Sequence, residues 1–202
     1  MGKSLLYLAF LCFGWMSSQA QNSDAIDVQH YRDSVDRVFA DPEQSILGDA
    51  DLKTFKGLPY FDYDPNYKVR AKFTSAEGEI FEMKTTTSRL PEYKAVGFLS
   101  FTLNAVPCTL YVYQNIELSK KEGYHDYLFV PFTDLTNGSE TYGGGRYLDI
   151  RSGDLAGDFY LDFNRCYNPY CVYSKKYSCP IPPSENYLST EVRAGVKDFA
   201  SQ

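Results

Sequence analysis

Two short segments repeat one arrangement of groups that could do chemistry: Tyr147-Leu148-Asp149-Ile150 and Tyr160-Leu161-Asp162-Phe163. As strands, each would send its apolar residues to one face and its tyrosine and aspartate to the other. A hairpin with Asp149 opposite Tyr160 would set Tyr147 opposite Asp162, and the carboxylates would be diagonal neighbours with α-carbons roughly 7–8 Å apart. Carboxylates so paired suit hydrolysis of a sugar bond, one protonated as acid and one ionised as base. The plainer reading is a pair of tyrosine–aspartate hydrogen bonds on an ordinary sheet face.

A second constellation precedes the first motif. Tyr142-Gly143-Gly144-Gly145 permits positive backbone angles, so its amides could form an anion-binding nest, and Arg146 follows at once. The alternation aims Arg146 toward the apolar face of Leu148 and Ile150, where an unpaired cation is prohibitive. It needs an anionic ligand or an internal carboxylate, and Asp134 is the plausible internal partner. The run is not a phosphate-binding P-loop, because it lacks the Gly-Lys-Ser/Thr ending and leads into a strand. Asn164 and Asn168 add amide groups just beyond the second motif.

The elements that must position these groups are mostly strands. Residues 22–40 carry Ile26, Tyr31, Val35, Val38 and Phe39 near helical spacing, and Asp41-Pro42 ends the helix. His30 falls on it as a surface residue, and a short helix is expected over Asp49 to Phe55. Tyr67 to Phe73 alternates as a strand, with Glu79 to Met83 as its expected partner across Ser75–Gly78. Lys68, Arg70 and Lys72 line its polar face. Val96 to Leu103 returns as Cys108 to Tyr113, and a four-residue loop would pair Leu103 with Cys108, Phe101 with Leu110 and Leu99 with Val112. Cys108 then points into the core as a buried thiol. Tyr127 to Phe132 reads as an interior strand, while residues 164–183, rich in Asn, Pro and Cys, form an irregular meander. The fold class is mainly β with minor α: an antiparallel sheet or partial barrel of hairpins, one or two N-terminal helices and a C-terminal meander.

Composition narrows the function. Met1-Gly2-Lys3, the apolar run Leu5 to Met16 and the small residues Ser18 and Ala20 have the layout of a cleavable signal peptide over residues 1–20. The run is shorter than the roughly 20 residues a membrane span needs, so no stable insertion is expected after cleavage. Residues 21–202 are then one β-rich domain, exported to a periplasmic or extracellular space. The net charge of −6 argues against nucleic acid as a partner. No Gly-x-Ser-x-Gly elbow or His-x-x-x-His pairing supports a serine hydrolase or zincin.

Beyond the signal the cysteines are Cys108, Cys166, Cys171 and Cys179, which allow three complete pairings. Closing Cys171 to Cys179 would stabilise by roughly 2.5 kcal/mol on the loop-entropy argument. A four-thiol zinc site would have to recruit distant Cys108 into a spacing unlike the usual knuckle, so neither metal nor cofactor is expected.

The run PFTDLTNGSETYGGGRYLDI, followed by DFNRCYNPYCVYSKKYSCPIPPSENYLSTEVRAGVK, resembles the uncharacterised bacterial family called domain of unknown function 1684. The resemblance extends to FKGLPYFDYD and matches Phe163, Asn164, Tyr167, Asn168, Pro169, Cys171, Cys179 and Pro180 to the family pattern. Cys166 departs from the small residue expected there. The resemblance thus implies Cys171 with Cys179 as the intrinsic pair, with Cys166 free or joined to Cys108, and it implies no activity. The leading reading is a binding protein that presents Tyr142, Gly143, Gly144, Gly145, Arg146, Asn164 and Asn168 to a small polar or anionic molecule. Hydrolysis through Asp149 and Asp162 is the second reading, and an envelope-interaction protein without an active centre is the third.

Overall fold

In a computed structural model, the backbone is described for residues 5–199 and the side chains for residues 22–199. The expected signal segment, residues 1–20, lies outside the residues whose side chains are described. Helix α1 (Leu5–Ala40) includes the expected 22–40 helix, and α2 (Asp49–Thr54) follows. The side chains of α1 that dock are Val28, Arg32, Val35 and Phe39, one stripe at steps of four, three and four. Arg32 pins the helix: its buried guanidinium donates to the Phe61 carbonyl at 2.9 Å and lies over the Tyr60 ring at 4.7 Å. Among the described residues no helix is long and apolar enough to cross a membrane.

Among the described residues seven strands follow: β1 (Lys68–Ser75), β2 (Ile80–Glu82), β3 (Glu92–Leu103), β4 (Val106–Asn115), β5 (Tyr127–Phe132), β6 (Arg146–Arg151) and β7 (Phe159–Asp162). Their order is β6-β5-β4-β3-β1-β7, every pairing antiparallel, and the sheet curls into a half-barrel. Strand β1 divides its pairing, giving Lys68–Ala71 to β7 and Lys72–Ser75 to β3. Short β2 pairs with β3, not with β1 as the alternation suggested, because β3 and β7 already occupy β1. The sheet bends at the bulge between Ala95 and Gly97, where a Cβ on Gly97 would lie 2.4 Å from the Thr74 carbonyl.

The β3–β4 hairpin turns more tightly than expected. Leu103 pairs with Val106, Phe101 with Cys108 and Leu99 with Leu110, two residues from the expected register. Asn104 and Ala105 both take positive φ (51° and 62°), which closes a two-residue turn that matches the strand twist. A slip of two keeps every side chain on its face, so Leu99, Phe101, Leu103, Cys108, Leu110 and Val112 still point inward.

That inner face also receives Leu128, Val130, Phe132, Leu148, Ile150, Phe159, Leu161 and Phe163, forming the main core. Burial of each such side chain contributes about 1.5–3 kcal/mol before the entropy of ordering. The outer face carries a second, aromatic cluster of Met83, Tyr93, Tyr113, Phe129 and Tyr147, with Tyr127 and Tyr167 against it. The expected meander is a chain of 3-10 turns at Phe163–Arg165, Tyr170–Val172 and Ser184–Asn186. Asn186 ties it down, donating to the carbonyls of Tyr111 (2.9 Å) and Pro131 (2.7 Å) and accepting from the Tyr111 amide (2.8 Å).

Candidate functional site at the open seam

Strands β6 and β7 stand at the two ends of the strand order, so a half-barrel that curls brings them toward each other without joining them. The expected hairpin between the two Tyr-Leu-Asp segments does not form. Asp149 pairs with Phe129 of β5, while Tyr160 and Asp162 pair with Arg70 and Lys68 of β1. The chain between them, including the 3-10 turn Ser152–Leu155, carries the backbone from one sheet edge to the other. Tyr147 exchanges backbone hydrogen bonds with Tyr167 at 2.9 and 3.0 Å, which closes the start of the β6 edge. Beyond it a cleft of about 350 Å³ runs between the edges, lined by Leu148, Asp149 and Ile150 on one wall and Phe159 to Asp162 on the other. Lys68, Asp154 and Arg165 complete the lining. The two aspartates therefore share a cavity although they do not share a hairpin.

Their surroundings differ. Asp162 caps the turn that follows it, its Oδ1 accepting from the Asn164 amide (3.0 Å) and the Asn164 side chain (2.9 Å), with Arg165 Nε 3.7 Å from Oδ2. Asp149 stands on the outer face, where its Oδ1 accepts hydroxyls from Tyr127 (2.7 Å) and Tyr167 (2.6 Å). Its Oδ2 has no hydrogen-bond partner among the described residues. Asp149 is open to solvent at the mouth of a recess, yet protein surrounds it closely enough that burial raises its pKa above the usual carboxylate value. The Tyr167 and Tyr127 hydrogen bonds and the Arg151 charge oppose that rise. In return, burial first and the Asp149 charge second hold the hydroxyls of Tyr31, Tyr127, Tyr167 and Tyr170 above the usual tyrosine value.

The residues of the glycine-rich constellation serve the architecture. Arg146 is wholly buried, its Nη2 2.9 Å from Asp134 Oδ2, and it donates further to the carbonyls of Val192 (2.7 Å), Ala194 (2.6 Å) and Val196 (3.1 Å). The expected internal partner is thus the one it has, and the reading in which Arg146 meets an anionic ligand loses its main support. Gly145 is buried with φ +90°, and a Cβ there would sit 2.5 Å from the Phe132 carbonyl, so this glycine is needed for close packing. Gly143 and Gly144 are exposed. Asn164 is buried and binds both the amide (3.1 Å) and the carbonyl (2.9 Å) of Asp64, and buried Asn168 donates to the Lys197 carbonyl (2.9 Å).

Cys108, Cys166, Cys171 and Cys179 are free thiols in this structure. Cys171 and Cys179 are nonetheless neighbours, the Cys171 amide lying 3.2 Å from the Cys179 sulfur. Burial raises the Cys166 thiol to about 11, and burial together with Cys171 raises Cys179 to about 12. Among the described residues no group of three or more His, Cys, Asp or Glu side chains is arranged to hold a metal ion. A broader groove of about 700 Å³ runs between α1 and residues 55–57, with His30, Asp33 and Arg37 on its wall.

Asp149 and Asp162 are legible in the sequence as candidates, whereas Tyr167, the partner of Asp149, and the lining residues Lys68 and Arg165 are not. The sequence places Tyr167 in the meander just after the second motif, and Lys68 reaches the cleft only through the β1–β7 pairing.

A family model described as Protein of unknown function (DUF1684) matches residues 53–197. The chain is also similar to an uncharacterized protein of Haloarcula marismortui whose structure was solved in solution by NMR. The two are 36% identical with a TM-score of 0.67, over 89% of this chain and 96% of that one. Comparison with curated proteins gives no match.

Proposed function

Since the chain belongs to the DUF1684 family, whose description assigns no activity, we propose from its geometry that it is a binding protein for a small polar molecule held in the cleft between β6 and β7. The observation that carries this reading is that two sheet edges stop short of pairing and enclose a cavity lined by Asp149, Asp162, Lys68 and Arg165. A cavity of this kind, with convergent polar groups and a perturbed carboxyl, is the usual form of a ligand site. The export expected from residues 1–20 belongs to the same proposal, with the ligand met outside the cytoplasm.

Hydrolysis by Asp149 and Asp162 is the second reading, favoured by their common cavity and by the raised pKa of Asp149, which suits a general acid. A thermal-shift screen of sugars, polyols, amino acids and amines on wild type and Asp149→Asn tests the first reading. Hits should raise the melting temperature of wild type and lose that shift in the variant. Equal shifts in both proteins for every hit would remove the cleft from consideration. Turnover of a glycoside hit, abolished in Asp149→Asn and in Asp162→Asn, would promote the second reading.

A further inference from the structure

The chemistry around Asp149 narrows the ligand class, on the premise that the cleft is the binding site. We propose that the ligand carries a cationic nitrogen, an amine or quaternary ammonium group, which pairs with Asp149 beside its tyrosine partners.

Asp149 is a carboxylate only half used by the protein. Oδ1 is fixed by the hydroxyls of Tyr127 and Tyr167 at 2.7 and 2.6 Å, which orients the group, while Oδ2 has no partner among the described residues. The nearby cations are engaged elsewhere. Arg151 reaches Asp126 at 2.6 Å and the Gly123 carbonyl at 2.7 Å, and Arg165 stands 3.7 Å from Asp162. An acceptor-only group with a free oxygen in a recess calls for a donor, and a charged donor gains most.

The rings around it suit the same partner. Tyrosine faces attract cations, and the strongest recognition of ammonium groups combines several such faces with a carboxylate. Two rings of this cluster already bind cations from the protein itself: Arg151 lies over Tyr127 at 5.9 Å and Arg165 over Tyr31 at 5.5 Å. Tyr170, a residue 47% exposed, lies within the field of Asp149 and leaves open aromatic surface near it. An anionic ligand would be repelled by the Asp149 charge, and a neutral polyol could donate a hydrogen bond to Oδ2 but would bring no opposite charge to it.

The test is a titration of the isotopically labelled full chain with choline, its neutral isostere 3,3-dimethyl-1-butanol and acetate, followed by amide and tyrosine-ring NMR signals. Choline should move the signals of Asp149, Tyr127 and Tyr167 saturably. Its affinity should exceed that of the isostere by about tenfold or more, and it should fall by a similar factor in Asp149→Asn. The isostere comparison is made on wild type, so it stands even if the variant folds poorly. Equal affinity for choline and the isostere, or preference for acetate, at these signals would overturn the amine class while leaving the cleft as a binding site. No response of the cleft to any of the three probes, when neutral sugars do move its signals, also overturns the amine class. Silence of the cleft toward every compound overturns both.

Discussion

Arg146 and Asp134 form an ion pair at 2.9 Å with neither side chain exposed to any degree. Taking two charges out of water is expensive, and here each is surrounded by further hydrogen bonds. Asp134 Oδ1 accepts from the Thr136 amide (2.9 Å), the Thr136 hydroxyl (2.6 Å) and the Val192 amide (3.1 Å), while Arg146 satisfies three carbonyls of residues 192–196. The pair therefore fastens the C-terminal segment to the start of β6. Arg146→Ala strands a buried carboxylate and three carbonyls, and should cost about 3–5 kcal/mol in urea denaturation. A loss below about 1 kcal/mol would show that the pair holds nothing.

The glycine run offers a contrast between neighbours. Gly145→Ala must hold φ near +90° and press a methyl against the Phe132 carbonyl, so it should destabilise by about 1–3 kcal/mol. Gly143→Ala meets only ordinary contact, with the nearest atom at 3.7 Å, and should stay within about 0.5 kcal/mol of wild type. Thermal melts of the two variants check this. The opposite order would mean that the bend is shaped by something other than the packing of Gly145.

Asp149 gives the protein a pH dependence with a definite sign. Its folded pKa lies above the usual carboxylate value, so folding favours the protonated form. The contribution to stability is complete below the unfolded value and is lost as pH rises through the folded one. The Asn variant keeps an acceptor for Tyr127 and Tyr167 but has no charge to bury. The melting temperature of Asp149→Asn minus that of wild type should therefore increase between about pH 4 and about pH 7. A difference that stays flat over this range would mean that the carboxyl is not desolvated.

The thiols should separate by accessibility and chemistry. Cys166 and Cys179 are buried with thiols raised to about 11 and about 12, while Cys171 is half-buried. Iodoacetamide at about pH 8 should label native Cys171 first, as peptide mass spectrometry would show. Under mild oxidation with a glutathione disulfide buffer, the linked pair should be Cys171 with Cys179, adding about 2.5 kcal/mol of stability that dithiothreitol removes. A Cys108–Cys166 link as the first product would contradict the adjacency of the meander thiols.

Much of this architecture is written in local patterns. The alternation of Leu99–Leu103 and Cys108–Val112 puts their side chains on the inner face, and the inward aim of Arg146 makes Asp134 its natural partner. The register of that hairpin is not legible in the sequence, because Ala105 adopts a positive φ that alanine does not advertise. The two Tyr-Leu-Asp segments share one pattern, which suggests a hairpin between them. Pairing is decided by distant strands instead: β5 takes Asp149 and β1 takes Asp162. The candidate carboxylates were therefore visible, but the seam that brings them to one cleft is a consequence of sheet closure and has no local signature. Arg32 could have been found from its place on the buried stripe of α1, between Val28 and Val35.

The most direct test of the cleft as the binding site is to map amide chemical-shift changes as any compound that stabilises the protein is titrated in. Saturable shifts should cluster at residues 148–150 and 159–162, the two walls of the seam, together with Lys68 and Tyr167. Shifts confined to the groove of His30, Arg37 and Gly57, with the seam unmoved, would contradict the account.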